Sequence, residues 1–306
     1  MRTRTGRLLA AVTVAGALLA GCGTGPNRVD AAAIVGQDTI PLSEAQPAIT
    51  AVLTRPGLVD GLRARGGSSA DVGRAVVSQL VVRDLLARAA AEQNIVVGDD
   101  QVDAAVAQAG GPQAVESTSV AAGGARAAIR DRLIATQLAA RELDRLSVTA
   151  DVAVARSRDE AVTLARSLAA GGAAAEKALS GASTAQKDLN IRPAETPQAA
   201  LTPLIGVPAG QVAAFPLGSG QGWVVVRVTK RQLDAKPAGP AVGSRLDPQT
   251  LGEAGILLLT PTALRTGVQL NPRYGVWDPV SLTAAPDAEQ AAQIFPAAGV
   301  PAGQAG

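Results

Sequence analysis

The chain has 306 residues, with 28 basic and 26 acidic side chains, no histidine, one cysteine, and only two Phe, one Tyr and two Trp. Without the three arginines of residues 1–21 the balance is 25 basic to 26 acidic, net −1, which argues against nucleic acid as a partner, because that binding needs Lys and Arg to neutralise phosphates. Lacking histidine and a spare cysteine, the chain has no means of making a Ser–His–Asp triad, a Cys–His pair or a zinc site of the usual kind, and no metal or cofactor is expected.

Arg2, Arg4 and Arg7 precede the uncharged run LLAAVTVAGALLA at 8–20. That run is shorter than the about 20 helical residues needed to cross a hydrocarbon core. A positive flank, a short apolar stretch and a small-residue junction predict a secretory signal peptide over 1–21. The junction Leu19-Ala20-Gly21-Cys22 resembles the bacterial lipobox. The resemblance implies cleavage between Gly21 and Cys22 and a diacylglycerol on the Cys22 thiol. The acyl chains would hold the protein at a membrane surface, on the extracytoplasmic face of the cell membrane, with residues 22–30 as a tether.

Residues 32–40 read as a strand, a Gly-Gln-Asp turn and a short return. Ser43 with Gln46 has the spacing of a capping box, although Pro47 has no N–H to give the helix that would follow. The loop RGGSSAD at 65–71 ends in a second cap. A helix over 72–93 then places Val72, Val76, Leu80, Leu85 and Leu86 on an apolar stripe. After the extended link NIVVG, Asp99 or Asp100 is expected to cap a helix that Gly110-Gly111-Pro112 stops, and another long helix is expected over 125–146. Next come a strand and a helix in VTADVAVARSRDEAVTLARSLAAG (148–171), the helix capped near Ser157 or Asp159. The β-branched run at 223–228 makes a strong strand. Residues 235–247 read as a Pro/Gly linker. The apolar helix at 248–265 should break at Pro261, and a strand is expected around 268–270. Residues 283–306, rich in Ala, Pro, Gly and Gln, read as a disordered tail.

The hairpin AIVGQDTI, the capped helix, LVVRDLLARAAAEQNIVVGDDQVDAAVAQ and the long closing helix resemble the N-terminal domain of SurA-like chaperones, over 31–146. In that family, C-terminal elements return to complete this domain, here about 248–282, where NPRYGVWDP resembles the ending of actinobacterial members. Tyr274 and Trp277 in that stretch are expected to pack. Residues 147–234 resemble a parvulin-type prolyl isomerase module, through DVAV (151–154), DEAVTLARSLAAG (159–171), IGVPAGQVAAFPLGSGQG (205–222) and GWVVVRV (222–228). Residues 172–200 lack the family's glycine pattern and are expected to be shortened or degenerate. Together these imply an α+β fold with a degenerate parvulin-like module inserted in a mainly helical domain.

The departures bear on chemistry. The resemblance implies two site histidines in active members. Here Asp151 stands near the first position and Val224 at the second. Asp151 and Asp188 are the polar remnants on offer, with surface roles the default. Ser–Lys chemistry would draw on Lys177, Lys187, Lys230 or Lys236, but no Ser-x-x-Lys spacing occurs. Asp99 and Asp100 read as first-turn caps rather than a catalytic pair, and GGAAAEKALSG (171–181) has glycines without a phosphate-loop pattern. No catalytic residue is therefore assigned. The expected function is a membrane-anchored, extracytoplasmic chaperone-like lipoprotein that binds unfolded or extended exported polypeptides without prolyl isomerase chemistry. The alternatives are an active peptidyl-prolyl isomerase and a structural or adaptor lipoprotein of the cell envelope.

Overall fold

The computed structural model of the chain describes residues 29–298, apart from 56, 65, 119, 183, 219 and 220. Cys22, Gly21 and the rest of the signal peptide and lipobox lie outside the described residues. Strands β1 (Ala31–Val35) and β2 (Asp38–Pro41) form an antiparallel hairpin turned at Gly36, whose φ of +64° suits glycine. Two strands alone bury too little to persist in water. The partner comes from far along the chain. β7 (Val268–Leu270) pairs with the other edge of β1, Ala33 opposite Leu270 and Val35 opposite Val268, giving the order β2-β1-β7. Asn271 fastens this junction, its backbone N–H donating to the Ala32 carbonyl and its side-chain amide to the Ala31 carbonyl, both at 2.9 Å.

Helix α1 (Leu42–Leu53) starts straight after Pro41, two residues earlier than the Ser43 capping box predicts. β2 runs into the helix without a loop, so Ser43 falls inside the first turn and no side chain caps it. Pro47 remains within the helix. A short helix α2 (Leu58–Ala64) leads to α3 (Ser69–Glu92), where Ser68 is the cap: its backbone N–H and its hydroxyl donate to Asp71 Oδ2 at 2.7 and 2.8 Å. Val76, Val77, Leu80, Val81, Leu85 and Leu86 of α3 are buried, the i, i+4 repeat of a central helix. Helix α4 (Asp99–Gln108) is capped by Gly98, not by Asp99 or Asp100. Gln101 Oε1 accepts the Gly98 N–H at 3.1 Å, and Asp99 instead pairs with Arg126 and Arg130 of the later helix α6 (Gly124–Glu142). Between these two runs α5 (Pro112–Thr118).

The second sheet has five antiparallel strands in the order β10-β5-β6-β3-β4: β3 (Ser147–Ala155), β4 (Gln186–Ile191), β5 (Gln211–Pro216), β6 (Trp223–Gln232) and β10 (Gln293–Pro296). Helices α7 (Arg158–Ala170) and α8 (Gly172–Gly181) follow β3, and α7 is capped by Ser157 Oγ accepting the Glu160 N–H. Ala161, Ala165, Leu168, Ala175 and Leu179 of these helices cluster with Ala155, Val212, Ala214 and Val225 of the sheet. The alternate residues Val148, Ala150, Ala213, Val226 and Val228 belong to a different cluster, shared with α3 and the three-stranded sheet. Alternation along each strand therefore divides the sheet between two cores.

Between the sheets, α9 (Pro248–Leu257) and α10 (Thr260–Thr266) are separated at Leu258 and Leu259, so the helix break expected at Pro261 falls just before it, with Pro261 in the first turn of α10. Gly255 of α9 lies so close to α6 that a Cβ there would run into the Ala135 carbonyl. The 235–247 linker is tied down, since Val242 is buried and its N–H donates to Asp144 Oδ1 at 2.7 Å.

The tail differs most from its reading. Residues from 283 on form β9 (Thr283–Ala285), paired with β8 (Val276–Asp278), and then β10. The buried Asp278 side chain organises this stretch, Oδ1 accepting the Val280 and Ser281 N–H groups and Oδ2 the Ala292 N–H, at 2.8 to 3.0 Å. Composition misleads here because the segment gains its order from a carboxylate upstream and from a sheet edge it does not itself encode. Tyr274 is buried, its ring placed where a Cβ on Gly73 of α3 would touch it at 3.5 Å. Among the described residues no helix is long and apolar enough to cross a membrane.

Candidate functional site

β3 and β6, each with a β-branched stretch, pair over their full length, and the register fixes which side chains meet. Asp151 stands opposite Arg227, and Val224 opposite Val154. Asp151 is only 2% exposed, so it is no surface aspartate. Its Oδ2 accepts Arg227 Nε at 2.8 Å and lies 2.6 Å from an Arg227 terminal nitrogen. Its Oδ1 accepts the backbone N–H of Asp188 at 3.0 Å. On β4 the ladder slips at this point: Ala150 pairs with Leu189 but Val152 with Gln186, so Lys187 and Asp188 together face Asp151. Asp188 sits at φ +51°, the left-handed conformation that a bulge of this kind admits for Asp. The structure thus brings Asp151 and Asp188 together, but through the Asp188 backbone.

Both oxygens of Asp151 are engaged, Oδ2 by two nitrogens of Arg227 and Oδ1 by the Asp188 N–H, and hydrogen bonds between ionised partners are the strong ones. This carboxylate is held, not poised. The Asp151 and Val224 positions also do not face each other. Opposed residues share a face and neighbours alternate, so Asp151 and Arg227 lie on one side of the sheet and Val224 on the other, where it packs against the larger core. Lys187 is taken up by Glu176. Arg227 is the partner that sequence reasoning missed; the signal was a charge inside a β-branched strand, but its role needed the register. β4 was missed as well, its QKDLNI being mostly exposed polar residues with no alternation to detect.

Two open grooves flank these elements. One, of about 890 Å³, lies between the end of β3 and helices α7 and α8. It is lined by Val154, Leu164 and Ala178 and rimmed by Arg156, Asp159 and Glu160. Thr184 closes its end by continuing the strand pairing with a side chain, its Oγ1 accepting the Val154 N–H at 3.1 Å. The other, of about 790 Å³, runs along β7 and is lined by Leu264, Leu270, Pro272, Val276, Trp277 and Pro279.

A mixed helical and sheet arrangement of this kind is an α+β fold carrying a parvulin-like module. Residues 141–238, which span β3 to β6, match the family described as the PPIC-type PPIASE domain. The crystal structure of the foldase protein PrsA from Lactococcus lactis is similar at 12% sequence identity, over 79% of this chain and 95% of that chain, with a TM-score of 0.28. No curated protein matches the chain in sequence.

Proposed function

We propose that the protein is a lipid-anchored, extracytoplasmic chaperone-like lipoprotein that holds unfolded or extended exported polypeptides without catalysing prolyl isomerisation. The observation that carries the reading is the state of Asp151. In a segment that matches a PPIC-type domain, the residue near the first histidine position is locked by Arg227 and by the Asp188 N–H. Rotating a prolyl amide has to overcome a barrier of about 18–20 kcal/mol. Lowering it calls for preorganised groups aimed at the twisted amide, and this carboxylate is aimed at its own sheet. Family membership of the segment still supports polypeptide as the ligand class, and the two grooves provide apolar surface for it.

The anchor belongs to the same reading. Cys22 at a lipobox junction would keep the protein on the outer face of the cell membrane, facing newly exported chains. The test has two arms. The purified protein should leave the cis/trans relaxation of a proline test peptide at background, yet slow aggregation of a denatured client at stoichiometric ratios; turnover of the peptide overturns the non-catalytic reading, and unimpeded aggregation overturns the holding function. Separately, Cys22→Ala should shift the protein from the membrane fraction to a soluble or unprocessed pool. A processed variant that stays on the membrane removes the lipid anchor from the proposal.

A further inference from the structure

The segment that matches the PPIC-type domain ends at residue 238, and within it β5 is an edge strand of a four-stranded sheet. An unpaired edge presents a row of backbone N–H and C=O groups that any extended chain is able to join. In this protein the edge is filled from outside the matched segment. β10 pairs antiparallel with β5, with Gln293, Ile294, Phe295 and Pro296 opposite Ala214, Ala213, Val212 and Gln211. Beyond the ladder, the Ala297 N–H donates to the Gly210 carbonyl at 2.9 Å and the Ala298 N–H to the Ala169 carbonyl of α7 at 2.7 Å.

The occupant is an extended peptide that reads both faces of the sheet. Phe295 packs into the cluster under α7 and α8, and Ile294 into the larger core on the opposite face. The receiving strand is finished and the occupant is not. Val212, Ala213 and Ala214 are fully buried, whereas none of the four β10 residues is, and Pro296 is exposed. β10 is four residues long, its last member has no N–H to give the ladder, and it hangs from a fixed point, the Ala292 N–H held by Asp278. A short, half-buried strand, held before its first residue by Asp278 and after its last by the Ala297 and Ala298 N–H groups, has few contacts for a competing extended chain to replace.

We propose that the β5 edge is a strand-accepting site for extended polypeptide, taking a β-branched or aromatic pair in alternate pockets, and that β10 occupies it in cis until a client displaces it. The inference rests on the client-holding reading and adds to it the place of binding. Backbone pairing supplies affinity that tolerates many sequences, and the two pockets supply the preference. An edge occupied in cis for about nine-tenths of the time binds a competitor about tenfold more weakly than an open one.

The test uses the full chain with Cys22→Ala, so that it holds no other thiol. The probe is a fluorescent peptide with the sequence of residues 290–298. Ending the chain after Ala292 removes β10 and leaves the Asp278 contacts; it should bind the probe about tenfold more tightly than the full chain, and a probe carrying Phe295→Asp should bind poorly. Ala213→Cys with Ile294→Cys, which are opposed residues, clamps the strand when oxidised, and should abolish probe binding until reduced. A truncated chain that is folded by circular dichroism but binds no better than the full chain overturns the proposal. So does a clamped chain that binds the probe as well oxidised as reduced, and this arm decides alone if the truncated chain does not fold. Aggregation assays separate the two readings. Equal client protection by the oxidised and reduced clamp leaves the holding function standing and moves it off β5; tight probe binding without any client protection keeps the edge site and ends the holding function.

Discussion

Asp151 is the residue at which the resemblance to an isomerase and the observed chemistry part. Burying a carboxylate costs several kcal/mol unless it is paired and hydrogen-bonded, and here Arg227 and the Asp188 N–H supply the pairing. Asp151→Ala would leave the Arg227 guanidinium, with only 19% of its side chain exposed, facing an empty site. The expected loss is about 3–5 kcal/mol in urea unfolding. Asp151→Val combined with Arg227→Met should recover most of it, since an apolar pair of similar volume carries no stranded charge. If the single and double variants unfold together, the pair is not coupled. Nothing in the sequence distinguished this aspartate from a surface one. Its role depends on the β3–β6 register, which sets Asp151 against Arg227, and on a bulge in a strand too polar to be recognised.

Elements were legible where their own residues dictate them. The β1–β2 hairpin, the apolar stripe of α3, the Ser157 cap of α7 and the break between α9 and α10 all follow from local pattern. The starts of α1 and α4 did not, because Pro41 and Gly98 take the cap positions that Ser43 and Asp99 seemed suited to by type. The start of α3 is a cap whose electrostatics are measurable. The Ser68 hydroxyl and its backbone N–H, with Arg74 beside them, hold the Asp71 carboxyl at about 2, down from 3.8. A carboxyl depressed in the folded state binds fewer protons there than in the unfolded chain. Its stabilisation is therefore complete above about pH 4 and is lost as the pH falls through about 2. Ser68→Ala should cost about 1 kcal/mol at pH 7, and the cost should shrink between pH 4 and 2 in acid-titrated melts. A cost that holds constant across that range means the Ser68–Asp71 contact does not set the titration.

At the scale of the molecule the order of the chain and the order of the fold diverge. One core runs from α3 and the first hairpin to a face of the five-stranded sheet, and the three-stranded and five-stranded sheets each take a strand from the last forty or so residues. The return of β7 to β1 was implied by the resemblance to SurA-like chaperones, while the alternation of Val268 and Leu270 around Gln269 marked only the strand itself. The return of β10 was not readable, because its order comes from Asp278 and the β5 edge. Successive truncations should show this in thermal melts. Ending the chain after Ala292 removes only the half-buried β10 and should lower the melting temperature little. Ending it after Thr283 also removes the Ala284 N–H that donates to Ser78 Oγ on α3, the buried Ala285, Ala291 and Ala292, and one of the three donors to the buried Asp278. Each buried polar group left unmatched costs about 1–3 kcal/mol. At about 2–4 °C per kcal/mol for a chain of this size class, the melting temperature should fall by about 5–10 °C. Ending the chain before Gly267 removes β7 as well, leaves β1 with the single partner β2, and takes Tyr274 off α3; it should unfold the helical part outright or leave it melting far below the others. If the chain ended after Thr283 melts with the full protein, the tail does not pack as described, and its composition was the better guide.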